Sequence, residues 1–177
     1  SKNDAEYFAD IGAKFARQGF VWEQIEDSEG NYNWESLDEY VNLCNKVNAA
    51  LLAGVGAVNK SDNEKCRRKN DPCSRKKRCT PCDMGHYFRF FAALISRYKD
   101  TVKFWQIGNE LNHSWGESPE RYADFVKINY DLLKQNCPDC KLVLGGVSSR
   151  PSGYYKFYKR VIERASQIKK QGKGDTF

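Results

Sequence analysis

The residues that best suggest chemistry are an adjacent amide and carboxylate, Asn109 and Glu110, which follow the apolar segment 102–107. A carboxyl group emerging beside the aromatic Trp105 is expected to be partly desolvated, which favours its protonated form and a role as general acid. The Asn109 amide can donate a hydrogen bond to a substrate hydroxyl. Alone, the pair is also typical of a helix cap with a solvated carboxylate, so its meaning depends on the elements that position it.

Short apolar segments alternate along the chain with amphipathic helices. Four segments too short for helices are predicted as strands: 14–20, 51–55, 102–107 and 142–147. Ser36 and Glu39 are predicted to form a capping box at one helix, and Ser118 with Pro119 to begin another. The alternation predicts an α/β fold with a parallel sheet, either doubly wound or closed into an eight-stranded barrel. The sequence has no glycine-rich nucleotide-binding loop, which weakens the doubly wound alternative.

Composition and charge exclude several classes of protein. The 177 residues are 40 % hydrophobic with a mean hydropathy of −0.76, and no apolar run approaches the ~18–20 residues that span a bilayer. The net charge of +6 resides in residues 60–80, which hold nine basic and three acidic side chains. The rest of the chain is therefore neutral. We expect neither a membrane nor a nucleic acid as partner.

Residues 57–83 are interpreted as a basic, cysteine-rich insertion, because they are much longer than an ordinary loop. Four of the seven cysteines lie there: Cys66, Cys73, Cys79 and Cys82. Two disulfides in a secreted protein explain them, and a structural zinc site is the alternative. Cys137 and Cys140 are predicted to form a short-range disulfide, and Cys44 to be a buried free thiol. No other cofactor is indicated.

The segment ending in Asn109-Glu110 resembles the fourth strand of the large clan of retaining glycoside hydrolases with a TIM-barrel fold, families 5 and 39 being the most similar. The stretch 12–26 resembles the clan's pattern of a strand Arg17, an aromatic residue, Trp22 and then Ile-Glu. The turn 27–34 and the segment 138–146 match as well. The resemblance implies that residues 1–177 are the amino-proximal part of a parallel (β/α)8 barrel, about four to five βα units, interrupted by the insertion.

The resemblance also implies roles for individual residues. Glu110 matches the acid/base of a retaining mechanism, in which two carboxyl groups stand about 5–5.5 Å apart. Asn109 matches the residue that contacts the sugar 2-hydroxyl, and Arg17 the arginine that lies under the nucleophile. The clan's nucleophile is a glutamate on the seventh strand, expected beyond residue 177. The remainder of the barrel is therefore expected from the same longer polypeptide or from another chain.

Further candidates for substrate binding lie near the predicted strand ends. Trp22 and Trp115 are predicted as platforms for sugar rings and His113 as a residue lining the cleft, with packing as the alternative for each tryptophan. His86 is predicted at the surface. The insertion follows the strand 51–55 and so should emerge on the same face as Glu110. In that position its basic residues could bind an acidic glycan as substrate. The alternative is that the insertion is a solvated loop far from the substrate.

The sequence thus predicts a secreted enzyme that cleaves O-glycosidic bonds of oligo- or polysaccharides, with no cofactor other than the zinc alternative. Two rival classes remain open at this point. One is a non-catalytic carbohydrate-binding or scaffold protein on a degenerate barrel. The other is a nucleic-acid-binding module formed by the cysteine-rich loop.

Overall fold

The computed structural model describes residues 7, 8, 10–66, 73, 78–149 and 154–171, without the side chains of residues 65 and 66. Strands and helices alternate along most of this length. In chain order the elements are β1 (Phe15–Val21), α1 (Trp22–Ile25), β2 (Glu26–Ser28), β3 (Asn31–Tyr32), α2 (Glu35–Lys46), β4 (Ala50–Gly56), α3 (Lys60–Cys66), α4 (Met84–Tyr98), β5 (Phe104–Ile107), α5 (Leu111–Ser114), α6 (Pro119–Asn136), β6 (Lys141–Leu144) and α7 (Tyr154–Lys170).

The four predicted strands are present and form one parallel sheet in the order β1-β4-β5-β6. Each strand pairs with the next one of that set along the chain, with Leu52 opposite Arg17 on one side and Phe104 on the other. A doubly wound sheet would reverse its strand order at a switch point. The order among the described strands runs in one direction, as in a barrel wall. A short antiparallel hairpin, β2-β3, follows β1.

The helices cover one face of this sheet and enclose the hydrophobic core. Trp105 of β5 is fully buried there, with its ring 6.2 Å from Phe20 of β1 and 6.0 Å from Phe91 of α4. Burying one such side chain stabilises the fold by about 1.5–3 kcal/mol. Trp105 is therefore part of the hydrophobic core.

The other face of the sheet is much more open to solvent. Along β1, Ala16 and Phe20 are buried, whereas Phe15 and Arg17 on either side of Ala16 are exposed. Phe15 is 54 % exposed and its ring contacts Phe104 at 5.4 Å. Parallel sheets are normally buried on both faces. The open face is the one that carries the Arg17 side chain.

Helix ends agree with the sequence at one predicted cap and differ at the other. Ser118 Oγ accepts a hydrogen bond from the Arg121 N–H at 3.3 Å, and Pro119 occupies the first helical position, as predicted. The predicted capping box is wrong, because α2 begins one residue before Ser36. The Asn33 side chain accepts from the Glu35 N–H at 3.0 Å and takes the place expected of Ser36.

The described cysteines of the insertion are oxidised. Cys73 and Cys79 form a disulfide, and Cys82 is also disulfide-bonded. Disulfide sulfurs are not thiolates, so the described cysteines of the insertion favour the disulfide interpretation over the zinc alternative. Cys66 lies outside the described side chains. The predicted Cys137–Cys140 disulfide is confirmed, as is a buried, free Cys44.

The carboxylate of Asp62 fastens the end of the insertion to the fold. This residue of α3 is buried and accepts hydrogen bonds from the N–H groups of Cys82 and Asp83 at 2.8 and 2.7 Å. Asp83 in turn caps α4 by accepting from the His86 N–H. None of the helices in the described ranges has the length and apolarity that a membrane span requires.

Candidate active site

A cavity of about 390 Å³ opens where β1, β4 and β5 end, at their carboxyl edge. Residues of all three strand ends line it, and they are joined by Arg78 from the insertion. In barrel enzymes the carboxyl edge is where the loops that carry catalytic side chains meet. Arg17 and Asn109, both predicted as site residues, lie at this cavity.

Arg17 is linked to Asn109 by a chain of side-chain hydrogen bonds through Gln106. The Arg17 Nε donates to Gln106 Oε1 at 3.0 Å. The Gln106 amide then donates to the Gly108 carbonyl at 2.6 Å and to Asn109 Oδ1 at 3.4 Å. A methyl group at Gly54 would lie 3.3 Å from Arg17 Nη2, so this glycine leaves room for the guanidinium. The network fixes the orientation of both predicted site residues.

The backbone around Glu110 makes a tight left-handed turn. Gly108 has a φ of 72°, and Glu110, which is not a glycine, has a φ of 51°. Such a conformation costs an L-residue about 1–2 kcal/mol and persists only where surrounding contacts enforce it. Here the Glu110 N–H donates to the Gly146 carbonyl at 2.8 Å, and the Glu110 carbonyl accepts from the N–H groups of His113 and Ser114.

The Glu110 side chain itself is exposed and is not among the residues that line the cavity, although Asn109, its neighbour in the sequence, is. The expected partial burial beside Trp105 is wrong for this chain, because the Trp105 ring points into the helix-covered core. Glu110 and Arg17 nevertheless belong to the same edge of the sheet, since Asn109 and Gly108 line the cavity with Arg17. Glu110 is therefore solvent-accessible at the edge of the sheet where the cavity opens.

Two tyrosines hold the segment that supports Glu110. The Tyr158 hydroxyl donates to the carbonyls of Gly145 and Gly146 at 2.8 and 3.1 Å, so it shares the Gly146 carbonyl with the Glu110 N–H. Tyr122 donates to the Ile107 carbonyl and accepts from the Gly145 N–H, both at 2.9 Å. Burial raises the pKa of Tyr158 to about 12 and that of Tyr122 further, which keeps both hydroxyls protonated as donors.

The insertion is part of this site. Arg78 forms an isolated parallel bridge with Trp115, its N–H donating to the Ser114 carbonyl at 2.8 Å while its own carbonyl accepts from the Gly116 N–H at 2.9 Å. Its guanidinium Nη1 donates to the Asn109 carbonyl at 2.6 Å. The expected position of the insertion, on the same face as Glu110, is thus found for Arg78. The sequence could not single out this arginine from nine clustered basic residues.

The predicted aromatic platforms are packed away from solvent. Trp22 has 0 % exposure, stacks on Phe90 at 5.5 Å and donates its indole N–H to Glu26. Trp115 is 8 % exposed, with its ring 5.5 Å from Tyr122 and its indole N–H on the Ser118 carbonyl. Both environments fit packing and do not fit a role as a sugar platform.

The two histidines lie in different environments. His113 is exposed on α5, two residues beyond Leu111, and is not among the residues that line the cavity. The prediction that His86 lies at the surface is wrong, because it is only 3 % exposed. The Asp83 cap orients the first turn of α4 so that His86 packs against Trp22, ring to ring at 4.8 Å.

A buried cluster around Glu26 was not foreseen from the sequence. One carboxylate oxygen of Glu26 lies 2.9 Å from His86 Nε2 and also accepts from Trp22 Nε1, and the other accepts from the Gly30 N–H at 2.6 Å. The cluster fixes the β2-β3 hairpin to α4 and to the end of β1. Because Glu26 and His86 are far apart in the chain, no local spacing could reveal the cluster.

Nothing in the described part of the chain favours a metal centre. The only group there with three close ligand-type atoms comprises Cys137, Asp139 and Cys140. Its two cysteines form a disulfide and therefore do not act as thiolate ligands.

Comparisons with known proteins show what this fold is similar to. No protein-family model matches the chain. A family 39 glycoside hydrolase from Bacteroides cellulosilyticus WH2 superimposes with a TM-score of 0.64 at 21 % identity, over 80 % of this chain and 28 % of that one. A glucosidase from Croceicoccus marinus gives 0.67 at 11 % identity, over 97 % and 38 %. Xylanase 10B from Thermotoga maritima gives 0.63 at 15 % identity, over 97 % and 54 %.

These similarities establish the fold at the level of architecture. The chain spans between 28 and 54 % of the length of the three structures, which are glycoside hydrolases of the TIM-barrel clan. At such low identities the likeness concerns the fold alone. The chain is a parallel α/β sheet wound as in part of these enzymes.

Proposed function

We propose that this chain forms part of the barrel of a retaining glycoside hydrolase, with Glu110 as its acid/base residue. The observation that carries the proposal is the placement of Glu110 in an enforced left-handed turn beside a cavity that contains Arg17 and Asn109. Strained backbone of this kind concentrates at functional sites. The glycoside hydrolases found among the similar folds support the same reaction class.

In the proposed mechanism, the Glu110 carboxyl first protonates the glycosidic oxygen and then, as a carboxylate, takes a proton from the attacking water. The second carboxyl group is a glutamate expected beyond residue 177, which attacks the anomeric carbon. Arg17 would hold this nucleophile ionised, because a guanidinium favours the charged form of a neighbouring carboxylate. Asn109 would bind a sugar hydroxyl. Glu23 also lines the cavity, from the short helix that follows β1.

The open sheet face supports the expectation that more protein completes this domain. Phe15 is exposed on that face, and β1 and β6 have unpaired outer edges within the described sheet. We propose that the remaining strands, from the same polypeptide or from another chain, close the barrel, cover this face and partly desolvate Glu110. The disulfides favour a secreted protein.

The test is Glu110→Gln in the protein at its natural length, assayed on aryl glycosides with good and poor leaving groups. A poor leaving group needs protonation, so kcat/KM should fall by about 10²–10⁴ for it and by much less for an activated aryl group. Glu35→Gln, an exposed carboxylate at the start of α2, is the control and should retain full activity.

Equal losses on both leaving groups would contradict the acid role of Glu110. A wild-type protein that binds oligosaccharides and hydrolyses none of them would instead be a non-catalytic carbohydrate-binding protein.

A further inference from the structure

The cavity beside Glu110 contains a positive charge that the proposed hydrolytic mechanism does not use. Arg17 and Arg78 both line it, and each donates to a neutral acceptor, Gln106 Oε1 and the Asn109 carbonyl respectively. Within the described ranges neither guanidinium has a carboxylate partner. Under the proposed function, Arg17 interacts with the nucleophilic carboxylate. The charge of Arg78 has no such role and could interact with a negative charge on the substrate.

Arg78 is held firmly enough to act as a binding group. Its backbone is paired on both sides with the segment that follows Glu110, through the Ser114 carbonyl and the Gly116 N–H. The adjacent Cys79 is locked in the disulfide with Cys73. A guanidinium has five N–H donors, and the single bond to Asn109 leaves most of them without an acceptor in the described structure.

We propose that the sugar bound in this cavity carries an oxyanion, either a carboxylate or a sulfate, and that Arg78 is the residue that selects it. The inference rests on the proposed function and names its substrate class. A guanidinium fork binds two oxygens of such a group at once, which a lysine does not do. Glu23, the acidic residue among those that line the cavity, opposes this preference from α1, just after β1.

The experiment compares matched pairs of aryl glycosides in both anomeric forms. One series pairs hexuronides with their methyl esters, and the other pairs 6-sulfated hexosides with the unsulfated sugars, so that the two sources of the charge are tested separately. The protein at its natural length is assayed as wild type and as Arg78→Met, Arg78→Lys and Glu23→Gln. Arg160→Met removes an exposed arginine that pairs with Glu120, away from the cavity, and serves as the matched control.

We expect wild type to prefer the charged member of at least one pair. Arg78→Met should lower kcat/KM for that member about ten- to a hundredfold more than for the neutral member, whose smaller loss reports the bond from Arg78 to the Asn109 carbonyl. Arg78→Lys should show an intermediate loss, and Glu23→Gln should increase the preference. Arg160→Met should match wild type. The preference should also weaken as ionic strength rises.

Two results would overturn the inference and leave the proposed function intact. One is a wild-type preference for the neutral member of every pair. The other is an equal loss on charged and neutral members in Arg78→Met, which would make Arg78 a positioning residue for Asn109 only. Absence of turnover on every glycoside by wild type would instead remove the proposed function, and this inference with it.

Discussion

Replacing Gly108 by alanine should destabilise the turn that carries Asn109 and Glu110. A Cβ at this position would lie 2.7 Å from Leu111 Cδ1 and 3.0 Å from its Cγ, and Leu111 is buried. The left-handed backbone at φ 72° costs an alanine about 1–2 kcal/mol. Overpacking against a buried side chain adds about 1–3 kcal/mol. We therefore expect a loss of about 2–5 kcal/mol in the free energy of unfolding.

Gly12→Ala is the matched control for the backbone contribution. Gly12 has a φ of 65°, and no atom lies within 4 Å of the position that an alanine Cβ would occupy there, so only the cost of about 1–2 kcal/mol should remain. Urea denaturation of both variants measures the difference. Adding Leu111→Ala to Gly108→Ala should show a favourable coupling of about 1 kcal/mol or more, because the smaller side chain removes the clash.

Equal losses in Gly108→Ala and Gly12→Ala, with no coupling to Leu111, would refute the steric reasoning. The conclusion that the turn geometry is enforced by packing would then fail, whatever the activity of the variant.

Two further predictions concern the groups that support the site. Glu26→Ala should lower the free energy of unfolding in urea by about 1–3 kcal/mol, because it leaves the Trp22 and Gly30 N–H groups without their acceptor and removes the neighbour of His86; no measurable loss would contradict a buried, hydrogen-bonded carboxylate. For Tyr158, the folded pKa of about 12 lies above the ordinary value of 10, so its contribution to stability should be full below pH 10 and lost as the pH rises towards 12. Tyr158→Phe should show a shallower alkaline loss in thermal melts, and an unchanged slope would exclude the hydroxyl as its source.

The sequence predicted those features that depend on local pattern. The continuous apolar run 51–55 identifies β4, and the combination of Ser118 and Pro119 marks the start of α6, because a serine cap and an N1 proline are both set by neighbouring residues. The short Cys137–Cys140 spacing likewise allows only a local disulfide geometry. The parallel sheet followed from the alternation of such elements.

Features that depend on which distant groups meet were predicted poorly. Trp22 and Trp115 lie near strand ends, as sugar-binding aromatics do, yet a turn into a short helix brings Trp22 under α4, against Phe90. The residues next to His86 in the sequence do not indicate that it will be buried beside Glu26, which belongs to another element. The capping box failed for a smaller reason, since Asn33 competes successfully for the same helix terminus.

The geometry of Glu110 illustrates why the site could be located from the sequence but not constructed from it. Its position follows from the end of β5, which the apolar pattern defines. Its left-handed turn depends instead on the Gly146 carbonyl from the end of β6 and on Arg78 of the insertion, which holds the preceding carbonyl of Asn109. Both contacts join groups from segments that are far apart in sequence. The disulfide-bonded insertion is therefore coupled to the candidate acid/base residue through the backbone, so a change in the insertion at Arg78 should alter the site without touching Glu110.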